Sequence, residues 1–275
     1  MAFLRRLLRS KQAIAGGTLV LSLILVAVLA PLLAPEGYDA QDMGKSLLAP
    51  RPGYPFGTDM FGRSLLSRII WGSRVSLQIG VLAMTISLAV GATLGLVSGY
   101  YARTLDRILM GLMDVLLAFP GILLALAVVA ALGPGLYNVM VAVGIQGVPQ
   151  FARLIRGATL SLREKEFIEA VRAAGARDLR IMRRHVVPNV VAPVLILASL
   201  EIGSAILSAA GLSFLGLGAQ PPLPDWGAMI SQGRHLLRTA WWVGVFPGLA
   251  ILLTVLGFNL LGDGMRDVLD PRLRL

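Results

Sequence analysis

Three polar side chains interrupt the long apolar runs of this 275-residue chain: Asp114, Gln146 and Glu201. A carboxylate held in hydrocarbon costs about 3 kcal/mol or more, so each acid must face a partner, a cavity or a polar path. Gln146 suits either a helix–helix hydrogen bond or the same path. For Asp114 the spacing offers Arg103, Arg107 or a loop lysine as ion-pair partners. A second polar group is concentrated rather than scattered. Residues 169–188 read EAVRAAGARDLRIMRRHVVP, an arginine-rich island in a hydrophobic chain. Lys165, Glu169 and Arg172 fall on one face of a predicted helix, at spacings where side chains meet. Phe167, Val171 and Ala174 make an apolar stripe on another face. Gly175 is a predicted left-handed stop, because it carries no Cβ. A second short helix is expected from residue 177, with Leu179, Met182 and Val186 as its apolar positions. Pro188 then opens the next apolar segment, where a missing N–H costs little. Two short amphipathic helices between two apolar runs form a docking surface.

Bond-making chemistry has little to work with. The chain has no cysteine, which removes thiolate nucleophiles, disulfides and cysteine metal sites. Its two histidines, His185 and His235, fall on opposite sides of the membrane in the topology below, so no metal site is expected. There is no HExxH and no GxSxG, and no histidine lies beside a candidate nucleophile. Met43-Gly44-Lys45-Ser46 ends like a phosphate-binding loop, but Asp39 stands where the first glycine is required and no strand precedes it. We expect no enzyme and no bound cofactor.

The elements that must position these residues are membrane spans. With 56% hydrophobic and 15% charged residues and a mean hydropathy of +0.76, the chain is far too apolar for a soluble domain. Six spans are predicted, at about residues 13–34, 75–99, 108–132, 136–151, 188–210 and 242–261. The first is of spanning length and is followed by Pro35, so it is read as an uncleaved helix rather than a signal peptide. Residues 35–74 form an outer polar loop, whose last part (64–71) is apolar enough to lie along the interface. Gly91, Gly95 and Gly99 line a small-residue ridge on the second span, suited to close packing within the chain or against a partner. Pro120 falls inside the third span. Gln146 and Pro149 interrupt the fourth, which continues into the cytoplasm through residues 152–156. Residues 211–241 form an outer Gly- and Pro-rich segment with one interfacial helix, 226–237.

Charge supports that orientation. Inner segments hold about 18 of the 25 Lys and Arg residues, as the positive-inside rule requires. Both termini come out cytoplasmic. The net charge of +10 is thereby explained by loops against a membrane, and nucleic acid is excluded as a partner. The domain division expected is an N-terminal region, 1–74, with the first span and the outer loop, followed by a five-span core, 75–275.

Glu169-Ala170, then Gly175 and Pro188, resemble the EAA loop of ABC importer permeases: EAA, three residues, Gly, nine residues, then I-x-L-P. Val171, His185 and Val187 depart from that pattern and leave most of its small, apolar character intact. FGTDMFGRSLLSRIIWGSRVSL (56–77), GLSFLGLGAQPPLPDWGAMI (211–230) and FNLLGDGMRDVLDPRL (258–273) resemble the DppC/OppC branch of dipeptide, oligopeptide and nickel permeases. The resemblance covers nearly all of the chain after residue 10. It implies an all-α, six-span, type I ABC importer permease fold in a bacterial inner membrane. It further implies a homologous DppB-like permease partner, two cytoplasmic ATPase subunits that carry ATP and Mg, and an external substrate-binding protein. Phe167, Glu169, Ala170, Val171, Gly175 and Pro188 would then couple the chain to an ATPase, while Asp114, Gln146 and Glu201 are the path candidates. Peptide is the expected cargo, with a nickel chelate as the alternative and an ATPase-independent transporter or a membrane scaffold as the competing classes.

Overall fold

The computed structural model describes residue 7 and residues 10–269, and every element among them is helical apart from turns and two isolated bridges. Arg5, Arg6 and Arg9 of the basic N-terminus, and residues 270–273 of the C-terminal motif, lie outside the described residues. Ser10 caps the first helix by accepting from the Ala13 N–H (3.3 Å), which starts α1 at Lys11–Val28. The helix breaks there, earlier than the expected residue 34, and one further turn, α2 (Ala30–Leu33), follows.

The largest departure from expectation lies at the next helix. Ser64 accepts from the Ser67 N–H, and α3 runs unbroken from Leu65 to Tyr101, 37 residues. Residues 65–74, expected in the loop and along the interface, are instead its first turns. A helix start needs a cap more than it needs hydrophobicity, and Ser64 supplies one. The expected third span is also corrected. It is two helices, α4 (Arg103–Ala118) and α5 (Gly121–Leu132), bent by 96°. Pro120 causes the break: it disfavours helix at the preceding residue, and Phe119 is extended (φ −89°, ψ 137°).

Beyond the Gly133–Gly135 turn, α6 (Leu136–Arg163) continues 28 residues through Pro149 without stopping. The docking region contributes α7 (Glu166–Ala173) and α8 (Asp178–Ile181). A π turn (Met182–Val186) joins α8 to α9 (Val187–Phe214), so a single helical rod spans 178–214. Pro188 therefore does not open a separate helix. The π turn absorbs it: the Val187 N–H reaches back five residues to the Met182 carbonyl, shifting the ladder just before the residue that cannot donate. Asp225 caps α10 (Trp226–Gly233) through the Ala228 N–H, four residues shorter than expected, and α11 (Trp242–Leu269) ends the described chain.

Among the described residues four helical stretches, α1, α3, the rod 178–214 and α11, are long and apolar enough to cross a membrane, and the bent α4–α5 pair makes a fifth if taken as one span. The core lies where α3, α5, α6 and α9 meet, around Ile79, Ala83, Val129, Val143, Ala205 and Leu212. The glycine ridge packs within the chain. A Cβ on Gly91, Gly95 or Gly99 would stand within 2.7 Å of Phe151, Ala152 or Thr159 of α6 respectively, so α3 and α6 touch backbone to backbone.

Candidate docking loop and polar positions in the spans

The docking loop is built by its turn. Gly175 takes φ +83°, a conformation costly for any residue with a Cβ. Its N–H donates to the Arg172 carbonyl (2.9 Å) and the Ala176 N–H donates to the Val171 carbonyl (3.2 Å). That pair of bonds is the Schellman stop, and Val171 and Ala176 supply its accompanying apolar contact. The stop reverses the chain between α7 and α8 and leaves Glu169, Ala170 and Gly175 exposed.

The inward face differs from the expected stripe. Ile168 and Ile181 are fully buried, together with Val186, while Phe167 is 44% and Leu179 63% exposed and Ala174 is exposed. Ile168, Val171 and Ala176 form the inward face of the first helix and its turn, and Ile181 and Met182 that of the second. Both isoleucines close on the ring of Tyr100, at the end of α3, which is only 5% exposed. The Tyr100 hydroxyl donates to Asp178 Oδ1 (2.7 Å), and the Arg172 guanidinium lies 6.0 Å from its ring centroid. Arg163 at the end of α6 donates to the Tyr100 carbonyl (2.9 Å). Arg172 thus turns toward Tyr100, and no ion pair joins Lys165, Glu169 and Arg172 among the described residues. Four arginines, Arg177, Arg180, Arg183 and Arg184, line an open concavity of about 660 Å³ with Leu179 and Pro188.

The polar residues in the spans have separate surroundings. Asp114 pairs with Arg153 of α6 (2.6 Å), with both side chains more than half exposed. Arg103 and Arg107 are not its partners. Arg156 and Ser98 engage Asp106, about two turns nearer the end of α3 (Arg156 Nη2 to Asp106 Oδ2, 2.7 Å). Gln146 sits against Gly121, the first residue after the break, where a Cβ would lie 2.5 Å from its Nε2; its Oε1 is buried without a partner. Glu201 is 6% exposed and packed against Gly147 and Ser87, at the seam of α3, α6 and α9. Sequence reasoning missed Tyr100, Ile168, Asp178, Ile181 and Arg153. Ile168, just before the island, and Ile181 within it carried a signal as isoleucines among charged and small residues; the Tyr100–Asp178 contact bridges 78 positions and carried none.

Among the described residues no group of acids and histidines is placed to hold a metal. A helix pair bent by 96°, a close-packed core of long apolar helices and an exposed helix–glycine–helix loop together define a multi-pass membrane protein. Residues 91–275 match the model of the binding-protein-dependent transport system inner membrane component, and residues 2–50 match the N-terminal transmembrane domain of oligopeptide transport permease C. The chain belongs to this family of ABC transporter permeases. It is 48% identical over 270 residues to the dipeptide transport system permease protein DppC of Alkalihalophilus pseudofirmus, covering 98% of this chain and 89% of that one. It is 50% identical over 275 residues to the glutathione transport system permease protein GsiD of Pectobacterium atrosepticum, covering 99% and 91%. Among solved structures, the methionine ABC transporter MetNI in an inward-facing conformation superposes with a TM-score of 0.60 at 18% identity, over 75% of this chain and 98% of that chain, a likeness of fold. The chain is a permease subunit of the bacterial inner membrane, not an enzyme.

Proposed function

We propose that this chain forms half of the pore of an ATP-driven importer for di- or oligopeptides, glutathione-like peptides included, paired with a homologous DppB-like permease. The relatives named for dipeptide and glutathione transport support that cargo. In this reading six spans cross the membrane with both termini in the cytoplasm. Residues 1–74 form an N-terminal region and residues 75–275 the permease core. The outer segments face a substrate-binding protein, and two ATPase subunits bind and hydrolyse ATP with Mg.

One observation carries the proposal: an exposed helix–Gly175–helix element, stopped by its own hydrogen bonds, presents Phe167, Glu169 and Ala170 beside exposed arginines, while Val171 packs inward and supports them. A short amphipathic helix of this kind suits a groove on a partner. Phe167 supplies apolar anchor area, and the arginines suit acidic rims. Closure of the ATPases would carry α6 and the 178–214 rod with the loop, as levers that flex at Pro149 and near Pro188. Asp114, Gln146 and Glu201 are the candidates for the polar path.

The test combines Glu169→Lys with titration of the neighbouring binding protein. Glu169→Lys is expected to abolish ATPase co-purification and uptake while the chain stays in the membrane; normal co-purification would reject the docking role. Titration with dipeptides, oligopeptides, glutathione and a nickel chelate then fixes the cargo, and a preference for the chelate would overturn the peptide assignment.

A further inference from the structure

We propose that Tyr100 is a positioning residue, a clasp that fixes the docking loop to α3 and carries loop movement into the α3–α6 pair as well as into the helices flanking the loop in sequence. This rests on the docking reading above. Covalently, the loop hangs from α6 by the two-residue joint Glu164–Lys165, and α7 and α8 meet only through the Gly175 turn. Such joints transmit little on their own. Tyr100 bridges them. Its ring is closed in by Ile168 of α7 and Ile181 of α8, Arg172 of α7 lies over it, and its hydroxyl is bound to Asp178, the first residue of α8.

The same residue is tied to the body of the protein. Arg163 holds its carbonyl from the end of α6, and its neighbour Gly99 packs on Thr159. Upstream of it, Gly95 and Gly91 lock α3 against α6 along a further two turns. Three elements far apart in sequence therefore meet on one buried ring at the level where the spans end. A purely apolar seat would need only the ring. A hydroxyl bonded to the first residue of the rod 178–214 fixes the direction of α8 relative to α3, because a hydrogen bond is directional and hydrophobic contact is not.

The chain has no cysteine, so site-directed spin labels at Tyr101→Cys and Leu179→Cys report this joint in the intact transporter, reconstituted with its partner permease and ATPases. With wild-type Tyr100 we expect one narrow distance distribution, the same with and without a non-hydrolysable ATP analogue. Tyr100→Phe keeps the ring and removes the bond. It is expected to broaden the distribution and to lower the stimulation of ATPase activity by the binding protein roughly tenfold, the lower end of the weight of one hydrogen bond to a charged group. Asp178→Asn should do the same, and the double variant no more than either single, since both remove one interaction. Unchanged stimulation in Tyr100→Phe and Asp178→Asn overturns the clasp. So does stimulation lost only because the ATPases no longer co-purify, which would mark a plain stability role. Gly175→Val in the same assay separates the two readings: if it too retains ATPases and stimulation, the docking role itself fails.

Discussion

The cap, residues 35–64 and 215–241 packed over the start of α3, and the docking loop, residues 164–186, both connect long helices, and they are built on opposite plans. In the cap a core of polar groups is buried: Thr58, Asp59, Arg63 and Asp225. Asp59, 3% exposed, accepts from the N–H groups of Phe61 and Arg63 and from Arg63 Nε (2.7 Å), with Arg68 Nε 3.7 Å away. Thr58 is fully buried and bonded to the backbone at Lys45 and Leu48. Two indoles stitch the cap to distant backbone: Trp242 donates to Thr58 and Trp226 to Ile69, each at 3.2 Å. Burial also pushes the Asp225 carboxyl up from its ordinary value, against hydrogen bonds from Ala228, Ser213 and Gly227. In the docking loop the charges are exposed, and only Tyr100, Ile168, Ile181 and Val186 are anchored inside. On the proposed function the cap would receive a soluble partner and can be rigid, whereas the loop would follow a moving one and needs its own secondary structure and a small number of attachments.

The difference can be broken most severely at Asp59. Replacing it by Ala leaves the Arg63 and Arg68 guanidiniums buried without a counter-charge, and losing one member of a buried pair costs about 3–5 kcal/mol. Thermal unfolding of the detergent-solubilised transporter should fall accordingly, with loss of the cap before the spans. A melting temperature equal to that of the native chain would show that the cap does not depend on this cluster.

Gly175→Val tests the other side with an intermediate effect. At φ +83° a β-branched residue costs about 1–2 kcal/mol, which the loop can relieve by giving up the Schellman stop. Little of the molecule's stability is at stake, but the exposed face of α7 is turned away. Membrane content and melting should change little, while uptake falls at least about tenfold, the effect of a shifted contact helix at an interface. Equal loss of folded protein and of uptake would mean that loop and body are one cooperative unit, and the contrast with the cap would disappear.

How much of this was legible in the sequence follows the same division. The island 169–188 announced its helix, its glycine stop and its exposed face, because those depend on local spacing. Its inward face was not legible: Ile168 and Ile181, outside the apolar positions picked by spacing, are buried, because which side of a short helix is buried depends on what it meets, here Tyr100 from 78 positions before Asp178. The glycine ridge of α3 was legible as a packing surface, and the structure decides that α6 is what covers it. The start of α3 at Leu65 was not legible from hydropathy, since the polar residues Arg68, Ser73 and Ser76 are buried under the cap. The bend at Phe119–Pro120 was carried by Pro120, but a proline inside a span marks either a kink or a break, and the packing of Gly121 on Gln146 goes with the break.

The smallest expected effect on stability is the most informative about purpose. Phe167 is 44% exposed and stands outside the cluster on Tyr100, so Phe167→Ala removes no core contact. A surface substitution of that kind stays within about 0.5 kcal/mol of the native stability. An aromatic anchor in a partner's pocket, by contrast, is worth about 2 kcal/mol or more when truncated, close to thirtyfold in affinity. Titrating the purified ATPase onto the reconstituted permease pair measures both quantities in one preparation. Unchanged melting with affinity lowered by that factor makes Phe167 a contact residue, exposed in the isolated chain because its pocket belongs to another protein. Unchanged melting with unchanged affinity moves the contact to the face bearing Leu179 and the four arginines, and the loop would then dock through α8 and the π turn.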